Sequence, residues 1–230
     1  MPGLIITSRE ICRLPLRQCL LTFDDGPSGA VTDRILLVLR EFDVKACFCV
    51  IGSGVVARPE QTRAIAVAGH LLVNHTFNHR FGDLWDLERL ESDLALCDQA
   101  VADATGTPGG WLLWFRPPFG LLTRSVLEVA RKRRILPITH YPLDTWFNSA
   151  RTTLPGRLII QNARRRAGGI YVLHDGLIHG PVSGFLKRAP DRSWVPDALR
   201  RILESLSAEG FQFPDPREAL PKLALPGAQC

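Results

Sequence analysis

The residues of this 230-residue chain that carry the most chemistry fall in four short segments. Asp24 and Asp25 are adjacent carboxylates between the apolar run Cys19 to Phe23 and the pair Gly26-Pro27. Neighbouring side chains on extended chain point in opposite directions, so one carboxylate can enter a metal shell while the other acts as a base on water. A solvated Asp-Gly turn uses the same residues. His75-Thr76-Phe77-Asn78-His79 separates two imidazoles by one helical turn, which lets both face a single metal. A chance pair on a polar helix has that spacing too, and the glutamate of a zincin helix is missing. Two histidines and one aspartate would leave coordination positions open, as a catalytic metal site requires.

Arg116-Pro117-Pro118-Phe119-Gly120 is a stiff loop, because two prolines fix φ and Gly120 permits a tight backbone. It can hold Arg116 against a carboxylate and offer the Phe119 amide to a developing oxyanion, or simply be a surface loop with an arginine. Leu173-His174-Asp175-Gly176 closes a hydrophobic run. His174 at a strand end can be a general acid or a structural histidine bonded to a loop carbonyl.

These residues need elements to hold them. The periodicity predicts strands at 19–23, 46–51, 71–74, 112–116, 135–139, 170–174 and 211–213. Helices are expected from about Thr32, which can cap the free amides, and over 59–68, 86–105, 123–133, 155–167 and 196–209. About seven βα units without repeated sequence imply a parallel sheet, closed as a barrel or left open. The polar residues singled out lie at five strand ends, His140 and Asp144 following the fifth strand. An open doubly wound sheet would gather its site at one switch point, so a barrel is expected. No Gly/Ser/Pro-rich linker divides the chain, and one domain over 1–230 is expected.

Composition narrows the classes. With 46% hydrophobic and 22% charged residues the chain is globular, neither disordered nor collagen-like. The longest apolar stretches, such as Ile35 to Leu39, fall far short of the roughly 18 residues of a membrane span. Arg9, Glu10, Arg13 and Arg17 leave no apolar core for a secretory signal, so a cytoplasmic location is expected unless a leader is missing from this sequence. The net charge of +5 is concentrated at 131–134 and 164–166. Both clusters fall near the C-terminal ends of predicted helices, where the helix dipole favours cations, and no nucleic-acid reading motif accompanies them. No nucleic-acid partner is expected. Cys12, Cys19, Cys47, Cys49, Cys97 and Cys230 are expected as reduced thiols, with no second cysteine pair to build a structural zinc site.

Thr22-Phe23-Asp24-Asp25-Gly26-Pro27 resembles the first motif of the polysaccharide deacetylases, the NodB-homology fold of carbohydrate esterase family 4. The segments at 75–79, 116–120 and 173–175 resemble the family's metal motif, third motif and last motif, in the same order. The resemblance spans about residues 19 to 213. It implies a distorted (β/α) barrel of about seven parallel strands and removal of N-acetyl groups from amino-sugar oligo- or polysaccharides of the chitooligosaccharide or peptidoglycan type. It also implies a divalent metal, Zn2+ before Co2+ or another ion, held by Asp25, His75 and His79. Asp24 would be the base, Arg116 its partner, the Phe119 amide an oxyanion donor and His174 the acid that protonates the leaving amine. Asp144 is expected to orient His174, and Leu173 to lie beside the substrate.

Two departures stand out. The fourth motif of relatives ends in Asp-Trp, whereas here Thr145 stands between Asp144 and Trp146, and Phe119 replaces a common tyrosine. Trp85, Trp146, Trp194 and Phe119 are candidates for stacking on a sugar ring, most of them expected in the core; only Trp146 and Phe119 sit near predicted strand ends and are the ones expected to touch substrate. Two other functions stay open: hydrolysis of a non-sugar amide such as a small cyclic ureide, and saccharide binding without catalysis. The sequence leaves the oligomeric state open.

Overall fold

The computed structural model describes residues 14–107, 114–133, 136–137, 154–176 and 191–220. Six parallel strands form one sheet in the order β5-β4-β3-β2-β1-β6. They are β1 (Gln18–Gly26), β2 (Cys47–Val50), β3 (Leu71–Asn74), β4 (Trp114–Phe115), β5 (Leu136–Pro137) and β6 (Gly168–His174). Between and after them run α1 (Ala30–Glu41), α2 (Gly52–Ala57), α3 (Pro59–Val67), α4 (Leu87–Thr105), α5 (Arg124–Arg133), α6 (Leu154–Arg166), α7 (Val195–Ala208) and α8 (Pro216–Ala219). The stretch expected as a seventh strand, 211–213, contributes a single parallel bridge between Gln18 and Gln212.

β1 lies next to the edge strand β6, between it and β2, and from Cys19 to Gly26 every residue is buried. A strand covered on both faces cannot alternate polar with apolar, which is why it reads as a continuous hydrophobic run. Its two faces have different jobs. Cys19, Leu21 and Phe23, with Phe48, Val50, Tyr171 and Leu173, pack beneath α1, α6 and α7 in the main core. The opposite face carries Leu20, Cys47, Cys49, Val73, Trp114 and Ile170, closed off by Leu220. By the two-residue period of the strand, Leu20 is followed on that face by Thr22 and then Asp24, which sets the carboxylate at the C-terminal mouth of the sheet.

One local expectation is corrected. Thr32 lies inside α1 and does not cap it; the N-cap is Gly29, and the Thr32 hydroxyl bonds to the Asp175 carboxylate instead, at 2.6 Å. The helix α2 was hidden in Gly52-Ser53-Gly54, whose composition signals a loop. Cys19, Cys47, Cys49 and Cys97 are free and buried, and burial pushes the Cys19 and Cys47 thiols up to about 12, as expected of inert core cysteines. No helix among the described residues is long and apolar enough to cross a membrane.

Candidate active site

The site begins where β1 stops being regular. In the β1–β6 register Asp24 stands opposite His174, and the β1–β2 register slips between Asp24 and Gly26. Asp25 sits in that irregularity with φ 71°, a left-handed conformation that costs a residue with a Cβ roughly 1–2 kcal/mol. The bulge re-aims its side chain. Neighbouring carboxylates expected on opposite sides of a strand therefore converge: His75 Nε2 lies 3.4 Å from Asp25 Oδ1 and 4.0 Å from Asp24 Oδ2. Where Gly176 passes this bulge a Cβ would collide with the Asp25 carbonyl, so the last motif needs a glycine there.

The two histidines do not share a helix, contrary to their spacing. Residues 75–79 form a loop, with Thr76 at φ 66° and His79 at φ 52°. Local hydrogen bonds hold that shape. Asn74 Oδ1 accepts from the Thr76 amide at 2.8 Å, and Thr76 Oγ1 accepts from the His79 amide at 3.0 Å. The Asp93 carboxylate, on α4, accepts from the amides of Phe77 (2.9 Å) and Asn78 (3.0 Å) and from the Asn78 side chain (2.6 Å). From the other side, the first amides of α2, those of Gly52 and Ser53, donate to the Thr76 and Phe77 carbonyls. The loop is thus clamped between two helices, and it brings His79 Nε2 to 3.6 Å from Asp25 Oδ1.

One donor atom each from Asp25, His75 and His79 falls within 4.8 Å of the others, all three residues being buried. Two ligands about 2.0–2.1 Å from a tetrahedral ion stand roughly 3.3 Å apart, close to the separations seen here. The protonation states also suit a cation. His75 Nδ1 lies 2.7 Å from the Arg116 carbonyl, which can only accept, so the proton is on Nδ1 and Nε2 is free to ligate. Burial, only partly offset by Asp25, pushes His79 down to about 4 and keeps it neutral near pH 7. For Asp25, burial favours the acid, but His79, the hydrogen bond from His75 and His174 outweigh it and hold the carboxyl below the usual range. An ionised carboxylate, a neutral His79 and the Nε2 of His75 fit a divalent cation.

Behind this triad, Arg116 is fully buried, with 0% of its surface exposed. Its Nη1 donates to Asp24 Oδ2 at 3.3 Å and its Nη2 to Thr22 Oγ1 at 3.1 Å. Burying a guanidinium costs several kcal/mol unless partners offset it, and Asp24 is the charge that does so. The carboxylate next to the candidate metal triad is therefore held through Oδ2, the same oxygen that lies 4.0 Å from His75 Nε2.

The family profile described as polysaccharide deacetylase matches residues 14–136. The peptidoglycan-N-acetylglucosamine deacetylase of Bacillus cereus is 30% identical over 84% of this chain and 83% of its own length. The chain belongs to the polysaccharide deacetylase family. A chitooligosaccharide deacetylase of Rhizobium leguminosarum bv. trifolii is 31% identical over 86% of this chain and 89% of its own length. A family 4 acetyl xylan esterase from Clostridium thermocellum, solved with a cobalt ion, shares the fold with a TM-score of 0.74 at 24% identity, covering 91% of this chain and 93% of its own.

Within this polysaccharide deacetylase fold the remaining expected residues divide. His174 ends β6 opposite Asp24 and is half-buried. Phe119 adopts φ 59° in the turn after the two prolines and sets its ring 4.7 Å from that of His79. Leu173 is corrected: it is 0% exposed and packs in the main core, because strand alternation turns it away from the face that His174 joins. Trp194 is buried as expected, but Trp85 is 54% exposed and not part of the core. Asp144 and Trp146 lie outside the described residues.

Three residues of the site were missed. Asp93 and Asp98 both lie on the buried stripe of α4 with Leu90, Leu94, Cys97 and Val101, and an acid on an apolar helix face is a signal that can be read in sequence. Asp98 accepts from Asn74 Nδ2 at 2.8 Å and from Arg133 at 3.0 Å, anchoring the strand end that leads into the metal loop. Asp175 is the third. Its carboxylate lies against Gly26, where a Cβ would collide with it, and it receives the Thr32 hydroxyl. Burial pushes it up to about 7, relieved by Thr32 and reinforced by Asp25. Beside the triad a cavity of about 160 Å3 opens among Asp25, Ser28, Ser53, Arg58 and Asn78.

Proposed function

We propose that this protein is a zinc-dependent deacetylase that hydrolyses the N-acetyl groups of amino-sugar oligo- or polysaccharides of the chitooligosaccharide or peptidoglycan type. The observation that carries the reading is the buried ensemble of Asp24, backed by Arg116, against the Asp25, His75 and His79 donor set at the mouth of the sheet. A divalent ion held by these three side chains would polarise the amide carbonyl and make water a nucleophile at neutral pH.

The chain's own groups complete the reaction. Asp24 takes the proton of the attacking water, and Arg116, with Thr22 behind it, keeps the carboxylate aimed into the cleft. The Phe119 amide, at the left-handed turn beside His79, donates to the oxygen that gains charge. His174, across the strand pair from Asp24, supplies the proton that the departing amine needs. Asp144 orients His174 in this scheme. The names of the two relatives that share about 30% of its residues support an acetylated amino sugar as substrate.

The test is acetate release from N-acetylglucosamine oligomers by the zinc-loaded protein. Release is expected for these, and none from small cyclic ureides. Turnover of the ureides alone would move the chain to non-sugar amides, and saccharide binding without acetate release would make it a silent binding protein.

A further inference from the structure

Exposed apolar side chains scattered singly over a protein require no explanation, but the large aromatic ones exposed here are not scattered. Among the described residues they are Phe119 (37% exposed), Phe81 (50%) and Trp85 (54%), and they touch in series. The His79 ring lies 4.7 Å from that of Phe119, Phe119 lies 5.3 Å from Phe81, and Phe81 lies 4.6 Å from Trp85. Successive rings are tilted by 59°, 74° and 51°, so none covers its neighbour face to face and each keeps apolar surface toward solvent. The row starts at a candidate metal ligand and becomes more exposed away from it.

The row is also held in place. Phe81 precedes and Trp85 ends the short 3-10 turn Gly82–Trp85, directly between the candidate metal loop and α4, and Leu84 of that turn is fully buried in the core around α4 and α5. The Leu84 carbonyl accepts from the Thr123 hydroxyl ahead of α5. Two outward aromatics on a turn anchored from beneath have no role in the core.

We propose that Phe119, Phe81 and Trp85 form a platform for sugar rings beyond the one being deacetylated, so that the enzyme acts on a saccharide chain and favours longer ones. This rests on the deacetylase reading above. The apolar faces of pyranose rings suit aromatic platforms, and the contact with His79 makes the row continuous with the reaction site. Size favours this occupant over a protein. Three aromatic side chains of about 150–250 Å2, each roughly half exposed, offer on the order of 300 Å2, well under the ~800 Å2 per partner of a stable protein interface.

The experiment uses the zinc-loaded full chain with N-acetylglucosamine oligomers from two to six residues. For Trp85→Ala, kcat/KM is expected to fall with a dependence on length, least on the dimer and about tenfold on the hexamer, through KM with kcat retained. Trp85→Phe should restore most of it. Zinc affinity and the circular dichroism spectrum of each variant establish that the site and the fold persist. An equal loss at every length, or none at any, would overturn the platform. Binding of the oligomers, followed by tryptophan fluorescence without turnover, separates the two readings: length-dependent binding that Trp85→Ala weakens, in a protein that releases no acetate, would sink the deacetylase reading and keep the platform. A concentration-dependent mass in ultracentrifugation that Trp85→Ala abolishes would assign the row to a second copy of the chain and overturn the proposal.

Discussion

Removing the carboxylate of Asp93 should loosen the metal site from behind, although Asp93 belongs to α4 and is not among the three donors. Its two oxygens accept three hydrogen bonds from the loop that carries His75 and His79. Bonds to a charged acceptor contribute about 1.5–3 kcal/mol each. Against them stand two left-handed residues, Thr76 and His79, at roughly 1–2 kcal/mol each. In Asp93→Ala the strain loses its largest counterweight and the loop relaxes when no metal is bound. Metal binding must then supply the reorganisation, about 1.4–2.7 kcal/mol, or a ten- to hundredfold loss of affinity, the size usual for groups that orient metal ligands. Asp93→Asn keeps an acceptor for the loop amides and should fall between. Competition titration against a chromophoric chelator gives the zinc dissociation constants. Zinc binding by Asp93→Ala within threefold of the parent, in a variant that is folded in its metal-free form, would rule out this role for Asp93.

Asp24→Asn should keep its metal, measured by elemental analysis, and lose at least about 10²-fold in kcat, a general-base contribution. Arg116→Met should lower stability by about 3–5 kcal/mol in denaturant titration, because it leaves Asp24 in the interior without the cation that pairs with it. For pH the metal-free protein is informative. His79, pushed down to about 4, contributes stability that is present above about 6.5 and lost as pH falls toward 4. Asp175, pushed up to about 7, contributes stability that is present below about 3.8 and lost as pH rises through 7. Between pH 5 and 6 the two slopes oppose each other. Asp175→Asn removes the second, so its unfolding free energy should rise with pH by about 1.4 kcal/mol per unit more than that of the parent; parallel profiles would contradict this.

The buried strands were legible because hydrophobic runs ending in Asp24, His75 and His174 mark both a parallel strand and its functional tip. The order of the motifs along the chain also pointed to Asp25, His75 and His79, which the fold brings within 4.8 Å of one another, and to Arg116, which it buries against Asp24. What spacing could not convey was backbone conformation. His75 and His79 satisfy a helical count yet meet through a left-handed loop, and Asp24 and Asp25 converge through a bulge, because bonds from Asn74, Asp93 and α2 outweigh local preference. Leu173 was misplaced by treating a motif as a unit, when strand period sends only His174 toward the cleft. Trp85 was misplaced for the opposite reason: tryptophan's large apolar surface argues for burial, and only tertiary structure shows it set on an exposed turn next to the site.

In the proposed reaction Asp25, His75 and His79 hold the ion on which deacetylation depends. Acetate release from N-acetylglucosamine oligomers, followed while the chelated protein is titrated with zinc, tests it most directly. Metal-free protein should release none, release should rise linearly to a plateau at one zinc per chain, and His79→Ala should lose that binding step. Full activity after verified removal of all divalent metal, or one zinc bound at full strength by His79→Ala, would contradict it.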